Sequence, residues 1–214
     1  MLEQIVTYFQ TSSDEFWLCV QQHIEISILS LVVAVAVGIP AGYACTRSTR
    51  NERLIQGFFQ GLRVVPSLAV LILLIPIMGT GVKPAMVALT LLAVPPILMN
   101  TVTGFKEVPE SVIEAGRGMG MTDRQILWRV RFPLAMPLIM TGVKTAMIEI
   151  IASATIATKI GAGGLGDIIV TGLGLNRTDL LLIGGISVAL LSISAGILFE
   201  LLDRVLMKYK FVRV

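Results

Sequence analysis

The 214-residue chain is 55% hydrophobic and only 14% charged, with a mean hydropathy of +0.84, which excludes an ordinary soluble domain, where about half the residues are apolar and a quarter charged. Its apolar residues fall in blocks of about twenty, enough for a helix to cross roughly 30 Å of hydrocarbon, and the short alternating segments of a membrane barrel are absent. The net charge of +3 comes from basic residues spread over short loops without aromatic interleaving, so it points to membrane topology and not to nucleic acid.

Residues 1–22 carry no basic leader and place Asp14 and Glu15 ahead of the first apolar block, which argues against a cleaved signal peptide. Tyr8, Phe9, Phe16 and Trp17 suit an interfacial helix. The first predicted span covers about 23–44, with Gly38, Pro40 and Gly42 near its end, where a kink or a close helix approach is tolerated. His23 lies at its rim and reads as a satisfied or solvated histidine, since no second metal ligand is near. Cys19 and Cys45, at opposite ends of this block, would be roughly 39 Å apart on a helix and cannot pair within one chain. The loop after the span gathers Arg47, Arg50 and Arg53 and should face the cytoplasm.

A second span is predicted over about 57–78, containing Pro66, Pro76 and, near its cytoplasmic end, Arg63. That arginine is placed to snorkel to the headgroups or to line a pathway. The third span, about 84–104, holds Pro95 and Pro96 and should be bent or broken where it lines a cavity or packs on neighbours. A fourth, about 133–158, carries Lys144 and Glu149 at depth. An isolated charge there costs roughly 2.5–3.5 kcal/mol on insertion scales, so each needs a partner or water. Five residues apart on a helix, they are about 140° off a shared face, which makes a direct pair poor geometry; partners in the bundle or a place along a pathway remain open.

Next comes Gly161-Ala-Gly-Gly-Leu-Gly166, a formal match to the dinucleotide fingerprint. The fingerprint needs a strand before it and a helix after it in a βαβ unit, whereas here a membrane span precedes it. A glycine loop folding back toward the membrane, then a short helix from Asp167, is the better reading. A fifth span covers about 180–202, and the tail holds Arg204, Lys208, Lys210 and Arg213. Five crossings put the N-terminus outside and the C-terminus in the cytoplasm. On that layout 13 of the 17 Lys and Arg residues fall inside and only Lys83, Lys159 and Arg177 outside, with Lys144 buried.

Between the third and fourth spans runs the one long polar insert, 107–137, and the cytoplasmic loop is about 105–132. Pro109 suits a first helical position, Glu107 and Glu110 favour the positive end of a helix dipole, and Gly118 and Gly120 offer a stop after about three turns. Thr122 and Gln125 then have capping-box spacing, so a second helix should start at Asp123 and run through Trp128 into the fourth span. The result is a helical elbow.

Within it, Glu114, Ala115 and Gly116, then Gly120, Val130, Phe132 and Pro133 follow a spacing that resembles the EAA loop of the membrane subunits of binding-protein-dependent ABC importers. Gly116 in place of alanine, Val130 in place of isoleucine and Phe132 in place of leucine are departures, and only the first weakens the helix. The resemblance also covers the span layout and the outer glycine segment.

It implies an all-α integral membrane permease of the small type I importer fold, multi-pass in the bacterial inner membrane, whose EAA helix sits in a groove of a cytoplasmic ATPase. By that analogy Glu114 contacts the ATPase and Gly120 turns the backbone between the two helices. No GxxxxGK[ST] loop occurs in the chain, so ATP and Mg would be bound by two partner ATPase subunits and no cofactor by this chain. An extracytoplasmic binding protein, surrounding lipid and a second permease copy or a paralogue complete the expected partners. The segments near 61–71, 157–176 and 179–191 are similar to importers of quaternary-amine osmoprotectants such as glycine betaine, carnitine or choline; methionine importers share the layout. A channel is the reading from another class, but it leaves the elbow without a role. An enzyme would need a nucleophile or metal constellation that one His and scattered carboxylates do not supply.

Overall fold

The computed structural model describes residues 2–47, 57–59, 61 and 64–206. Among these the chain is helical throughout, with turns between helices and no strand. In chain order the helices are α1 (Leu2–Thr11), α2 (Ser13–Cys45), α3 (Ser67–Met78), α4 (Val82–Lys106), α5 (Glu110–Gly118), α6 (Asp123–Ile126), α7 (Phe132–Ala157), α8 (Leu165–Gly174) and α9 (Thr178–Leu206). A π-helical turn, Leu127–Arg131, joins α6 to α7, and a 3-10 turn, Thr158–Ile160, follows α7.

Among the described residues four helices are long and apolar enough to cross a membrane: α2, α4, α7 with its leading turns, and α9. The second predicted span is represented by α3, whose 12 residues reach only roughly 18 Å. Arg63 of this span, Arg50 and Arg53 of the loop before it, and Lys208, Lys210 and Arg213 of the tail lie outside the described residues. The first span is longer than its hydropathy suggested. Its helix extends back to Ser13, because Phe16 is buried against Leu165, Ile168, Leu180 and Ile183 and holds the polar end of α2 against α8 and α9.

The core is built around α4, whose residues Ala93 to Leu98 are all buried, chiefly against α2 and α7. Pro95 and Pro96 neither break nor interrupt this helix, which runs unbroken for 25 residues. Two ring-closed residues cost two backbone donors, yet fully packed neighbours hold the segment helical. Small residues set the helix distances. A Cβ at Gly38 would stand 2.9 Å from Ile97 Cγ2, one at Gly42 2.7 Å from Thr101 Cβ, and one at Gly142 2.8 Å from Asn100 Cβ. In a bilayer, where hydrophobic burial no longer drives helix association, such close backbone approach supplies the packing energy. On the far side, Ile186, Leu190, Ile193, Ile197 and Leu201 of α9 are each more than half exposed, the surface a hydrocarbon solvent would cover.

After α7 the glycine segment forms a tight loop followed by a short helix, which begins at Leu165, two residues before Asp167. Gly161, Gly163 and Gly164 have φ of 81°, 75° and 91°, a region only glycine enters without strain. The loop is strapped on three sides. Gly81 N–H donates to the Ile160 carbonyl at 2.6 Å, Thr158 Oγ1 donates to the Gly163 carbonyl at 2.9 Å, and Gly164 N–H donates to Gln22 Oε1 at 3.1 Å. His23 is fully buried beside this loop, not at a rim, with Nε2 3.1 Å from the Ile151 carbonyl. Nε2 ties α2 to α7, while the buried Nδ1 has no hydrogen-bond partner among the described residues, so the ring is only half satisfied.

Candidate coupling site

Chain polarity and turn chemistry build the elbow. Pro109 is the N-cap of α5 and not its first helical residue: its ψ of 132° is extended, and Glu110 begins the helix. The fixed φ of −62° at Pro109 suits either position, so proline alone does not separate the N-cap from the first helical residue. One face of α5 is apolar, and Ile113 is buried with Val108 and Ile126 in a small core that Met121 and Val130 complete. That satellite core fixes α5 against the start of the next helix.

The helix ends at Gly118 in a Schellman arrangement. Gly120 N–H donates to the Arg117 carbonyl at 2.9 Å and Met121 N–H to the Gly116 carbonyl at 3.1 Å, with Gly120 at φ 79°. The reversal falls where the sequence placed it. Thr122 then caps α6 with a full capping box: Gln125 N–H donates to Thr122 Oγ1 at 3.3 Å and Thr122 N–H donates to Gln125 Oε1 at 2.8 Å. Such a cap is worth about 1 kcal/mol. Arg117 spans the corner, 4.0 Å from Glu110 and 3.8 Å from Asp123, but these exposed pairs add little.

Entry into α7 uses the π turn. Phe132 N–H donates to the Leu127 carbonyl, one residue beyond the α spacing, which loosens the ladder just where Pro133, lacking a donor, enters α7. Four rings then join the elbow to two other helices. Trp128 meets Phe132 at 5.3 Å between centroids, Phe132 meets Phe105 of α4 at 6.3 Å, and Phe105 meets Tyr43 of α2 at 5.0 Å. The sequence reading missed this ladder. Its signal was available as one aromatic residue at the same end of each of three predicted helices, but contact between them needed the helix registers.

The site residues sort into two groups. Glu114 and Ala115 are exposed on the outer face of α5, and Gly116 is buried beneath them. Gly120 sits at the reversal and Pro133 at the root of α7. These five stand on one rigid elbow. Arg63 lies outside the described residues. Lys144 Nζ is 3.9 Å from Glu200 on α9, and Glu200 also holds Arg204 at 2.8 Å. Glu149, like Lys144, is half-buried. The carboxylate partner of Lys144 is thus on a neighbouring helix, in keeping with the poor geometry of a pair five residues along one helix.

Residues 34–208 match the family described as binding-protein-dependent transport system inner membrane component. The chain belongs to that family. It is an inner-membrane permease subunit of an ABC importer, and a transport protein, not an enzyme. Among its relatives is a carnitine transport permease protein, OpuCB, of Listeria monocytogenes, 42% identical and aligned over 90% of this chain and 88% of the relative. Another is a glycine betaine/carnitine/choline transport system permease protein, OpuCB, of Bacillus subtilis, 38% identical over 95% of this chain and 94% of the relative. An inward-facing structure of the MetNI methionine ABC transporter has a TM-score of 0.80 over 90% of this chain and 96% of that one, at 23% identity. That likeness establishes the permease fold.

Proposed function

We propose that this chain forms the membrane pathway of an ATP-driven importer for a small quaternary-amine osmoprotectant such as glycine betaine, carnitine or choline. The similarity to permeases named for those compounds, over nearly the whole of both chains, carries this reading. The likeness to methionine transporters is one of fold at much lower identity, so the methionine reading ranks second. ATP and Mg are bound by partner ATPase subunits, two per complex. A second permease copy or a paralogue closes the pathway, and an extracytoplasmic binding protein delivers the substrate.

Glu114 and Ala115 form the contact with the ATPase, since they are the exposed face of a helix whose other face is pinned by Ile113, Gly116 and Ile126. Force entering there reaches α7 directly and reaches α4 and α2 through the aromatic ladder. A rigid element with one free face is what a transmitted domain closure requires. The elbow therefore lies in the cytoplasm, the N-terminus outside and the C-terminus inside, as the distribution of Lys and Arg favours. Lys144, whose ammonium meets Glu200, Glu149 and Arg63 are the candidates for lining the pathway.

The test is to purify the complex, identify its subunits, and measure uptake of glycine betaine, carnitine, choline and methionine into vesicles containing ATP. Uptake of a quaternary amine that depends on ATP and on the binding protein is expected. Flux without ATP would overturn the importer reading, and uptake of methionine alone would overturn the substrate.

A further inference from the structure

The aromatic ladder encloses something the coupling role does not use. Ile39, Pro40 and Tyr43 of α2, Phe105 of α4, Leu127 and Trp128 of the π turn and Phe132 of α7 surround a cavity of about 250 Å³ with a wholly apolar lining. The cavity opens at the surface beside Trp128, which is 58% exposed. Two guanidinium groups flank it. Arg47 lies over the Tyr43 ring at 5.1 Å and donates to its hydroxyl at 3.1 Å, and Arg131 lies over Phe105 at 5.8 Å. Neither arginine is in an ion pair with a described carboxylate, and Arg131 Nε has no hydrogen-bond partner among the described residues.

An apolar cavity with two arginines at its edge, at the end of a membrane bundle, has two chemical readings. Aromatic rings bind quaternary ammonium groups by cation–π attraction. Here, however, the Tyr43 and Phe105 rings already carry a guanidinium each, and two further positive charges oppose a cation at short range. The charge favours an anion attached to an apolar chain.

We propose that this groove is a seat for an anionic phospholipid of the cytoplasmic leaflet, its acyl chain against Tyr43, Phe105, Trp128 and Phe132 and its phosphate between Arg47 and Arg131. A lipid held there fills the gap between the elbow and the ends of α2 and α4. The proposal rests on the cytoplasmic placement of the elbow for the choice of leaflet. It does not rest on coupling to an ATPase.

The test uses the fluorescence of Trp128, one of two tryptophans in the chain. The full chain carrying Trp17→Phe is placed in nanodiscs with acyl-brominated phosphatidylglycerol or acyl-brominated phosphatidylcholine in an unbrominated background. Each arginine near the headgroups is worth a factor of about five for an anionic lipid, so half-quenching is expected at a mole fraction at least about tenfold lower for phosphatidylglycerol. Arg47→Gln with Arg131→Gln should remove that preference, and Arg47→Lys with Arg131→Lys should keep it, which separates lost charge from lost fold. Equal quenching by the two lipids overturns the proposal, as does a preference that survives the double glutamine variant. Relief of quenching by added choline would also overturn it and assign the groove to substrate. The measurement needs neither ATP nor partner subunits, so its failure leaves the coupling reading standing, and a failed coupling reading leaves the lipid result intact.

Discussion

Replacing Gly116 by alanine should stabilise the elbow without disturbing it. Gly116 is buried in α5, yet a Cβ built there would meet Ile126 Cγ1 and Met121 Sδ at 3.5 Å and Ile126 Cδ1 at 3.8 Å, all ordinary contact distances. The backbone is already helical, so alanine gains the helix propensity that glycine lacks, about 0.8–1.0 kcal/mol. The added methyl is also removed from water against Ile126, worth at most about 0.8 kcal/mol more. The sum, about 1–2 kcal/mol, corresponds to a factor of about 5–30 in the opening equilibrium of α5. Amide hydrogen exchange of Ala115 and Arg117 through Met119 in the purified protein reads this directly, and slowing within that range is expected. Unchanged or faster exchange would refute the claim that the pocket over Gly116 has room for the methyl group.

Other substitutions test the rest of the framework. Gly166→Ala should do the opposite, because its methyl would overlap the Thr155 carbonyl and the Thr158 hydroxyl; a loss of several degrees in unfolding temperature is expected, and an unchanged value would contradict the close packing of α8 on α7. Burial holds the Asp167 carboxyl above its ordinary value of 3.8, the neighbouring Thr158 hydroxyl offsetting part of this. Its neutral form is therefore the one the fold prefers, and its contribution is lost as pH rises through the raised value. Asp167→Asn should accordingly unfold at a higher temperature than the parent at pH 7, with the difference closing near pH 4; a constant difference over that range would refute it. Lys144→Met should weaken the hold of α9 on α7 by no more than about 1 kcal/mol, the scale of a half-exposed ion pair. A double-mutant cycle with Glu200→Gln measures this, and no coupling between the two sites would remove the contact from the account.

Much of the elbow was legible because local chemistry decides it. The capping box at Thr122 and Gln125, the glycine reversal at Gly120 and the amphipathic face of α5 are each settled within a few residues, so spacing alone placed them. Contacts across the bundle were harder to read. That Lys144 would meet Glu200, that Gly38 and Gly42 would admit Ile97 and Thr101, and that His23 would be fully buried depend on the register of helices far apart in sequence. The adjacent prolines 95 and 96 misled for a related reason. Their local rule favours a break, and only burial on all sides keeps α4 continuous. The polar N-terminal end of α2 was likewise cut short, because hydropathy does not see that Phe16 has a buried partner layer.

The central claim is that Glu114 on its exposed face is where ATPase closure enters the permease. The direct measurement is ATP-dependent uptake in vesicles reconstituted with the full complex carrying Glu114→Lys, alongside membrane content of the permease and ATPase activity of the complex. A charge reversal at such a contact is expected to lower uptake by more than about tenfold, with the permease present in normal amount. Normal uptake by Glu114→Lys would contradict the account.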